Sequence, residues 1–398
     1  MLNHYQNVCW ADNKPSVPPR DGPDGGPDGR GPIPPQPLAT PGVSTAPYPA
    51  PRHCVRRRQN EPAAALRGRF HGIVVTNQRL CREHYRLTLH VAAFPPSDPG
   101  QFIQILCPRA PGAADLPNAV DDGALQAKQW RLGSRPPRFT DPFLTADRPY
   151  LRRPYSIAGR RDASTVTKAA GPRTELDIMY RVIGRATRQL EKLTPGDEVS
   201  LLGPLGHGFI RSDHLRRALL IGGGVGVPPI LYLAERLASW GIAAVAFIGV
   251  QRADLLPLTL IADHPPATDH PIERPCLMEF ARHGISSILT TDDGSLGIPG
   301  RVTTALRTYL LAHRQFDASS GVPELFCCGP TAMMRAVSQV AAEFSLPCQA
   351  ALEQPMACGM GTCQSCVMKY RPPGALDWVY KLTCTDGPVF HTADIIWS

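Results

Sequence analysis

The sequence predicts a multi-domain chain: an antiparallel β-barrel, then an α/β domain with a parallel sheet, then a small C-terminal module organised by cysteines. Three observations predict it. Short segments rich in β-forming residues, separated by polar turns, run from about residue 66 to 212. From Arg217 the pattern changes to alternating strands and helices, the texture of a parallel sheet. Near the C-terminus, Cys358, Cys363, Cys366 and Cys384 stand close together while eight other cysteines are scattered.

Composition sets the outer bounds. The 398 residues suffice for two or three domains with substantial cores. The formal charge is +8, but many arginines lie in the Pro-rich head and a mid-chain insertion rather than along one helix face, so no nucleic-acid footprint is read from it. No apolar run reaches the length of a membrane span; the longest, around Leu219–Leu233 and Gly241–Val250, are broken by Gly and Pro or too short. Nothing at the N-terminus reads as a secretory signal. The expectation is a cytoplasmic protein with reduced thiols.

In chain order, residues 1–62 are dominated by Pro, Gly and Asp and cannot bury enough apolar surface to offset ordering entropy, which predicts a disordered extension. Residues 63–212 form the predicted barrel. Its strands are Phe70–Val75, Tyr85–Val91, Gln101–Leu106, Arg153–Ala158, Glu175–Ile183 and Glu198–Leu202, with one short helix at Ala186–Leu193. Residues of about 108–149 have little periodicity and read as an insertion between strands. Residues 213–347 form the α/β domain, with strands at Ala218–Ile221, Ala243–Val250, Ser286–Thr290 and Glu324–Cys328. Its helices are Pro228–Ser239, Val302–Ala312 and Thr331–Phe344. Residues 348–398 form the cysteine module, where Trp378–Leu382 reads as a strand leading into Cys384.

The cysteine spacing is C-x4-C-x2-C with a fourth cysteine further on, the plant-type order of thiolates around a [2Fe–2S] cluster. Three ligands from one tight loop must converge on a small anionic core, with backbone N–H groups turned inward. Gly359 and Gly361 supply the necessary backbone freedom. Structural zinc competes with this reading, although zinc sites usually pair two C-x2-C-like knuckles and only one is present. Disulfides are the other alternative.

Four more stretches carry chemistry. Arg153-Pro154-Tyr155-Ser156 lies on a barrel strand and offers a guanidinium for a pyrophosphate, an aromatic face for a flavin ring and a hydroxyl for the ring edge. Strand alternation places Arg153 and Tyr155 on one face and Ser156 on the other. The bland alternative is an ordinary strand with an exposed arginine. Met179 to Thr187 runs a strand into a helix start suited to phosphate, with Thr187 able to cap the helix or donate to the phosphate. Gly222, Gly223, Gly224 and Gly226 form a turn between strand and helix that lets backbone approach an anionic ligand, though it does not match G-x-G-x-x-G. Cys328 and Gly329 end a strand at the edge where open α/β sheets bind ligands; the commoner fate of such a cysteine is simple burial.

The order of these features resembles the ferredoxin–NADP reductase superfamily. Within it, the chain is similar to the electron-transfer subunits of class 1B dihydroorotate dehydrogenases. The resemblance rests on RRPYSIAG (152–159), YRVIGRAT (180–187), LLGPLGHGF (201–209), IGGGVGVPPI (221–230), TDDGSLGIPGRVT (291–303), FCCGPTAMM (326–334), ALEQPMACGMGTCQSCVM (351–368) and CTDGPVF (384–390). It implies FAD contacts at Arg153, Pro154, Tyr155, Ser156, Met179, Tyr180, Arg181, Ala186 and Thr187, and cluster ligation by Cys358, Cys363, Cys366 and Cys384. It departs from the family at Ala186, where Gly is usual, and at His207, where Asn is frequent. The resemblance further implies a relay between NAD(H), FAD and a [2Fe–2S] cluster, serving the FMN of a partner catalytic subunit in a dimer of heterodimers. A related flavin iron–sulfur reductase subunit, serving a hydrogenase, a sulfide dehydrogenase or ferredoxin, is the alternative. NADH cannot be told from NADPH: Gln251 and Arg252 follow the second α/β strand, where the ribose should lie, and Asp254 comes slightly later.

Overall fold

The computed structural model describes residues 67–106, 151–163, 173–313 and 322–397. The extension at 1–62 and the insertion at 108–149 lie outside the described residues.

Six strands close the barrel: β1 (Gly68–Arg79), β2 (His84–Ala92), β3 (Phe102–Leu106), β4 (Arg153–Ala163), β5 (Arg173–Arg181) and β6 (Glu198–Leu205), in the order β1-β2-β5-β4-β3-β6. Its interior is the period-2 face of each strand: Leu87, Leu89 and Val91 on β2, Ile103 and Ile105 on β3, Leu176 and Ile178 on β5, all essentially inaccessible. Helix α1 (Arg185–Glu191) stops two residues short of the predicted end. Asn77 of β1 explains where: its Nδ2 donates to the carbonyls of Leu190, Glu191 and Leu193, occupying the acceptors that a further turn would use. Strand β5 ends at Arg181 rather than Ile183 because Gly184 already serves as the helix N-cap.

The second sheet has seven strands in the order β10-β9-β8-β7-β11-β12-β15. They are β7 (Arg217–Gly223), β8 (Ala243–Val250), β9 (Ser286–Thr291), β10 (Ile298–Pro299), β11 (Glu324–Cys328), β12 (Cys348–Ala351) and β15 (Val389–His391). All pairings are parallel except β12 with β15. Helix α2 (Val227–Ser239) packs on one face, toward the barrel, and its buried Tyr232 donates to the Ser97 carbonyl at 2.7 Å. The short helix α3 (Met278–Ala281) joins the same core. Helices α4 (Val302–Ala312) and α5 (Thr331–Glu343) cover the other face.

The sheet runs past the boundary expected at 347. Two strands from the cysteine segment, β12 and β15, belong to it, and only the hairpin β13 (Val367–Tyr370) with β14 (Val379–Leu382) stands apart. Among the described residues, no helix is long and apolar enough to cross a membrane.

Candidate functional site

A cleft of about 380 Å³ opens where the barrel, the α/β sheet and the cysteine loop meet. From β4 it receives Pro154, Tyr155 and Ser156; from β5 and the start of α1, Tyr180, Arg181, Ile183 and Thr187. The α/β domain contributes Val225 and the segment Leu352 to Met356. An aromatic face, a hydroxyl and a guanidinium thus converge, which is the donor set an isoalloxazine and its ribityl phosphate need. Tyr155 meets Tyr180 edge-on at 6.3 Å, and Tyr180 is held by its hydroxyl donating to Asn77 Oδ1 at 3.0 Å. Arg181 forks onto Glu83 at 2.7 Å, and this bond holds the Glu83 carboxyl below its ordinary range. Glu353, two residues beyond β12, also faces the cleft.

Three residues expected at the flavin do not line this cleft. The Arg153 side chain turns back to donate to the carbonyls of Leu151 and Arg152. Met179 packs into the core between barrel and sheet, and Ala186 into the barrel core. Thr187 takes the first of its two expected roles: its hydroxyl accepts from the N–H groups of Ile183 and Gly184 and donates to the Gly184 carbonyl, capping α1.

The nucleotide edge lies beside this cleft. The glycine turn links β7 to α2, with Gly224 at φ +54. Gly226 is glycine for packing as much as for a ligand: a Cβ there would land on the backbone of Cys328 and Gly329. Gly222 faces Ile248 and Gly223 faces Met333, so no side chain separates the ends of β7 and β11. Cys328 is 2 % exposed, and burial drives its thiol well above the ordinary value. At the neighbouring ends of β8 and β9, Arg252 lies among carboxylates. Its Nε is 3.4 Å from Asp254 Oδ1 and 3.8 Å from Asp293 Oδ2.

The cysteine loop is wound as its spacing requires. Gly359 and Gly361 have φ of +69 and +89. The N–H groups of Met360 and Cys363 point at Cys358 Sγ at 3.4 and 3.3 Å, and that of Cys358 at Cys363 Sγ at 3.5 Å. The sulfurs fall into two pairs. Cys358 and Cys363 share these N–H groups. Cys366 and Cys384, each 1 % exposed, pack together with Phe102 and Leu205. The Ser365 hydroxyl, 3.2 Å away, and then the Ser365 and Cys358 groups draw the Cys363 thiol down to about 6. Burial, followed by Cys366, pushes Cys384 up to about 11. Among the described residues, no three His, Cys, Asp or Glu side chains gather around a single point as one metal ion demands. A two-plus-two arrangement suits two irons with two thiolates each. Disulfides are absent from the described residues, whose cysteines are all free. Gln104 of β3 braces the loop, its Nε2 3.4 Å from the Ala357 carbonyl.

Phe102, Val225 and the segment 352–356 were missed as site residues. The first two carry no local signal, because packing of barrel against sheet brings them to the cleft. The last abuts the cysteine motif, and that proximity was a usable signal.

Barrel, parallel sheet and paired thiols together define a nicotinamide-linked electron-transfer oxidoreductase with a flavin and an iron–sulfur cluster. Known proteins agree. Residues 353–396 match the family model described as the iron–sulfur cluster binding domain of dihydroorotate dehydrogenase B. A "Dihydroorotate dehydrogenase B (NAD(+)), electron transfer subunit" from Geobacillus thermodenitrificans is 36% identical over 251 residues, covering 62% of this chain and 81% of the relative. The protein of the same description from Streptococcus pneumoniae strain R6 is 33% identical over 248 residues, with 62% and 81% covered. Among solved structures, an NADH-dependent reduced ferredoxin-NADP oxidoreductase shares the fold at a TM-score of 0.54 and 21% identity, over 82% of this chain and 90% of that one. The chain belongs to the dihydroorotate dehydrogenase B electron transfer subunit family.

Proposed function

We propose that this chain moves electrons between NAD(H), FAD and a [2Fe–2S] cluster, to or from the FMN of a dihydroorotate dehydrogenase catalytic subunit in pyrimidine biosynthesis. The observation that carries the reading is the single wall between the two cofactor positions: Phe102 lines the flavin cleft and packs against Cys366 and Cys384. FAD, when bound, exchanges a two-electron hydride on the nicotinamide side and single electrons on the cluster side. The residues of this chain position it. Tyr155 and Tyr180 offer aromatic surface, Ser156 a hydroxyl, and Arg181 a charge held in place by Glu83. Cys358, Cys363, Cys366 and Cys384 hold the cluster, and Gln104 and the glycines shape its loop. The turn from Gly222 to Gly226, with Cys328 and Gly329, takes the dinucleotide pyrophosphate and nicotinamide end.

The partner meets the cluster side. Cys363 is exposed, and Met360 beside it is 55% exposed. The hairpin β13–β14 adds Val367, Trp378, Val379 and Tyr380 to an apolar surface, which suits a protein contact. We propose a dimer of such heterodimers, working in the cytoplasm, where reducing conditions keep thiols free.

Co-expression with the catalytic subunit, followed by anaerobic assay, tests this. Expected outcomes are co-purification, a mass of two pairs and NAD⁺ reduction driven by dihydroorotate. The chain alone, loaded with FAD and cluster, should oxidise NADH with dyes and ignore dihydroorotate. Two subunits that neither co-purify nor reduce NAD⁺ would overturn the partner assignment and favour a hydrogenase, sulfide or ferredoxin partner.

A further inference from the structure

A dinucleotide that presents its nicotinamide to the flavin cleft has one direction in which to extend. Val225 of the glycine turn already lines that cleft, and Leu352 to Met356 close the side beyond β11 and β12. With the pyrophosphate over the turn, the adenosine must therefore lie over the ends of β8 and β9, neighbours of β7 on its open side. Those ends carry Gln251 to Asp254 and Asp292 to Ser295.

The charges there form a fixed set. Asp254 is already committed: Arg82, from the turn between β1 and β2, donates to its Oδ2 at 2.9 Å, and Arg252 approaches its Oδ1. Asp293 is oriented by Ser295, whose N–H and hydroxyl both donate to Oδ1 at 3.0 and 2.6 Å. These bonds hold the Asp293 carboxyl below its ordinary range, so it is an anion at neutral pH. Among the described residues, its Oδ2 is left with only the long 3.8 Å approach of Arg252. An oriented carboxylate oxygen accepts a ribose hydroxyl, whereas an arginine free of carboxylates would welcome a 2′-phosphate. Arg252 is not free of them.

We propose that Asp293 selects the unphosphorylated dinucleotide: its Oδ2 accepts the adenosine 2′-hydroxyl of NAD(H), and the carboxylates of Asp293 and Asp254 around Arg252 turn away the 2′-phosphate of NADP(H). Discrimination of this kind combines a bond to the right ligand with a repulsion against the wrong one. It rests on the nicotinamide arm of the proposed function.

Calorimetric titration of the FAD-loaded full chain with NAD⁺ and with NADP⁺ tests it without relying on turnover. NAD⁺ should bind at least about tenfold tighter, and Asp293→Ala should weaken NAD⁺ by about tenfold, the worth of one hydrogen bond to a charged group. Asp293→Asn keeps a partner for Ser295 and removes the charge, so NADP⁺ should tighten and the ratio narrow. Arg252→Ala should leave the order of the two nucleotides unchanged. Equal binding of both nucleotides by the unmodified chain, or a ratio indifferent to both Asp293 variants, would overturn the inference and leave the electron-transfer reading intact. Loss of NADP⁺ binding on Arg252→Ala would also overturn it, by showing that the arginine reads the phosphate. If neither nucleotide binds, the nicotinamide arm falls with it.

Discussion

His84 shows how a single residue couples the barrel to pH. It begins β2 at 4 % exposure, with its Nδ1 3.2 Å from Cys81 Sγ and its buried Nε2 without a hydrogen-bond partner among the described residues. Burial, and then the nearby Arg181 charge, depress its pKa from 6.5 to about 4. The folded state therefore holds a neutral ring where the unfolded chain binds a proton below pH 6.5. Stability is fully present above 6.5 and is lost as pH falls toward 4. Allowing for solvent screening, about 2 kcal/mol should disappear across that window. Urea midpoints measured at pH 7.5 and 4.5 should fall further for the wild type than for His84→Asn, and identical slopes would remove His84 as the source. Legibility at this scale was uneven. The four cysteines could be read because one short stretch must supply most of their geometry. Arg153 could not be placed, because strand alternation fixes a face but not where a long side chain bends. The structure sends its guanidinium back to its own backbone.

At the scale of elements, the strands and helices of the α/β domain were largely readable, and β8, α4 and β11 match their expected bounds. Strand β12 was not. Its sequence, CQAA, has neither β-branched residues nor alternation, and it becomes a strand only because β11 and β15 flank it. The polar residue in it matters most. Gln349, 1 % exposed, donates from Nε2 to the Ile210 carbonyl at 2.7 Å and to Glu324 Oε1 at 2.6 Å, and its Oε1 accepts from the Ile210 N–H at 2.9 Å. It thereby joins the new strand to the chain leaving the barrel. Gln349→Ala would remove the bond to the buried Glu324 and both bonds to the Ile210 backbone, at a cost of about 3 kcal/mol. Chemical denaturation should show that loss, and a cost below about 1 kcal/mol would mean that solvent replaces these bonds.

At the scale of the whole molecule, the separation of cofactors drawn from the sequence needs restating. The FAD barrel and the cysteine module were drawn as separate domains, at 63–212 and 348–398, yet the module contributes strands to the central sheet and residues 353–356 to the flavin cleft. What stays separable is the ligand set, which no periodicity or spacing links to the barrel. Cys384 lies in the loop between β14 and β15, outside every strand, and faces the cluster side of Phe102. Cys384→Ser should therefore remove or damage the cluster while FAD stays bound and NADH still bleaches it. Dihydroorotate-driven NAD⁺ reduction in the complex should be abolished. Phe102→Ala tests the shared wall from the other side. Phe102 is 3 % exposed, touches the flavin cleft and both buried thiols, and its truncation leaves a cavity costing about 3–5 kcal/mol. This variant should lower the occupancy of FAD and cluster together, read from visible spectra and from iron and flavin content. A Phe102→Ala protein with one cofactor at full occupancy and the other lost would show that two walls, not one, stand between them. A Cys384→Ser protein that loses FAD as well would show that the cluster itself holds the flavin cleft in shape.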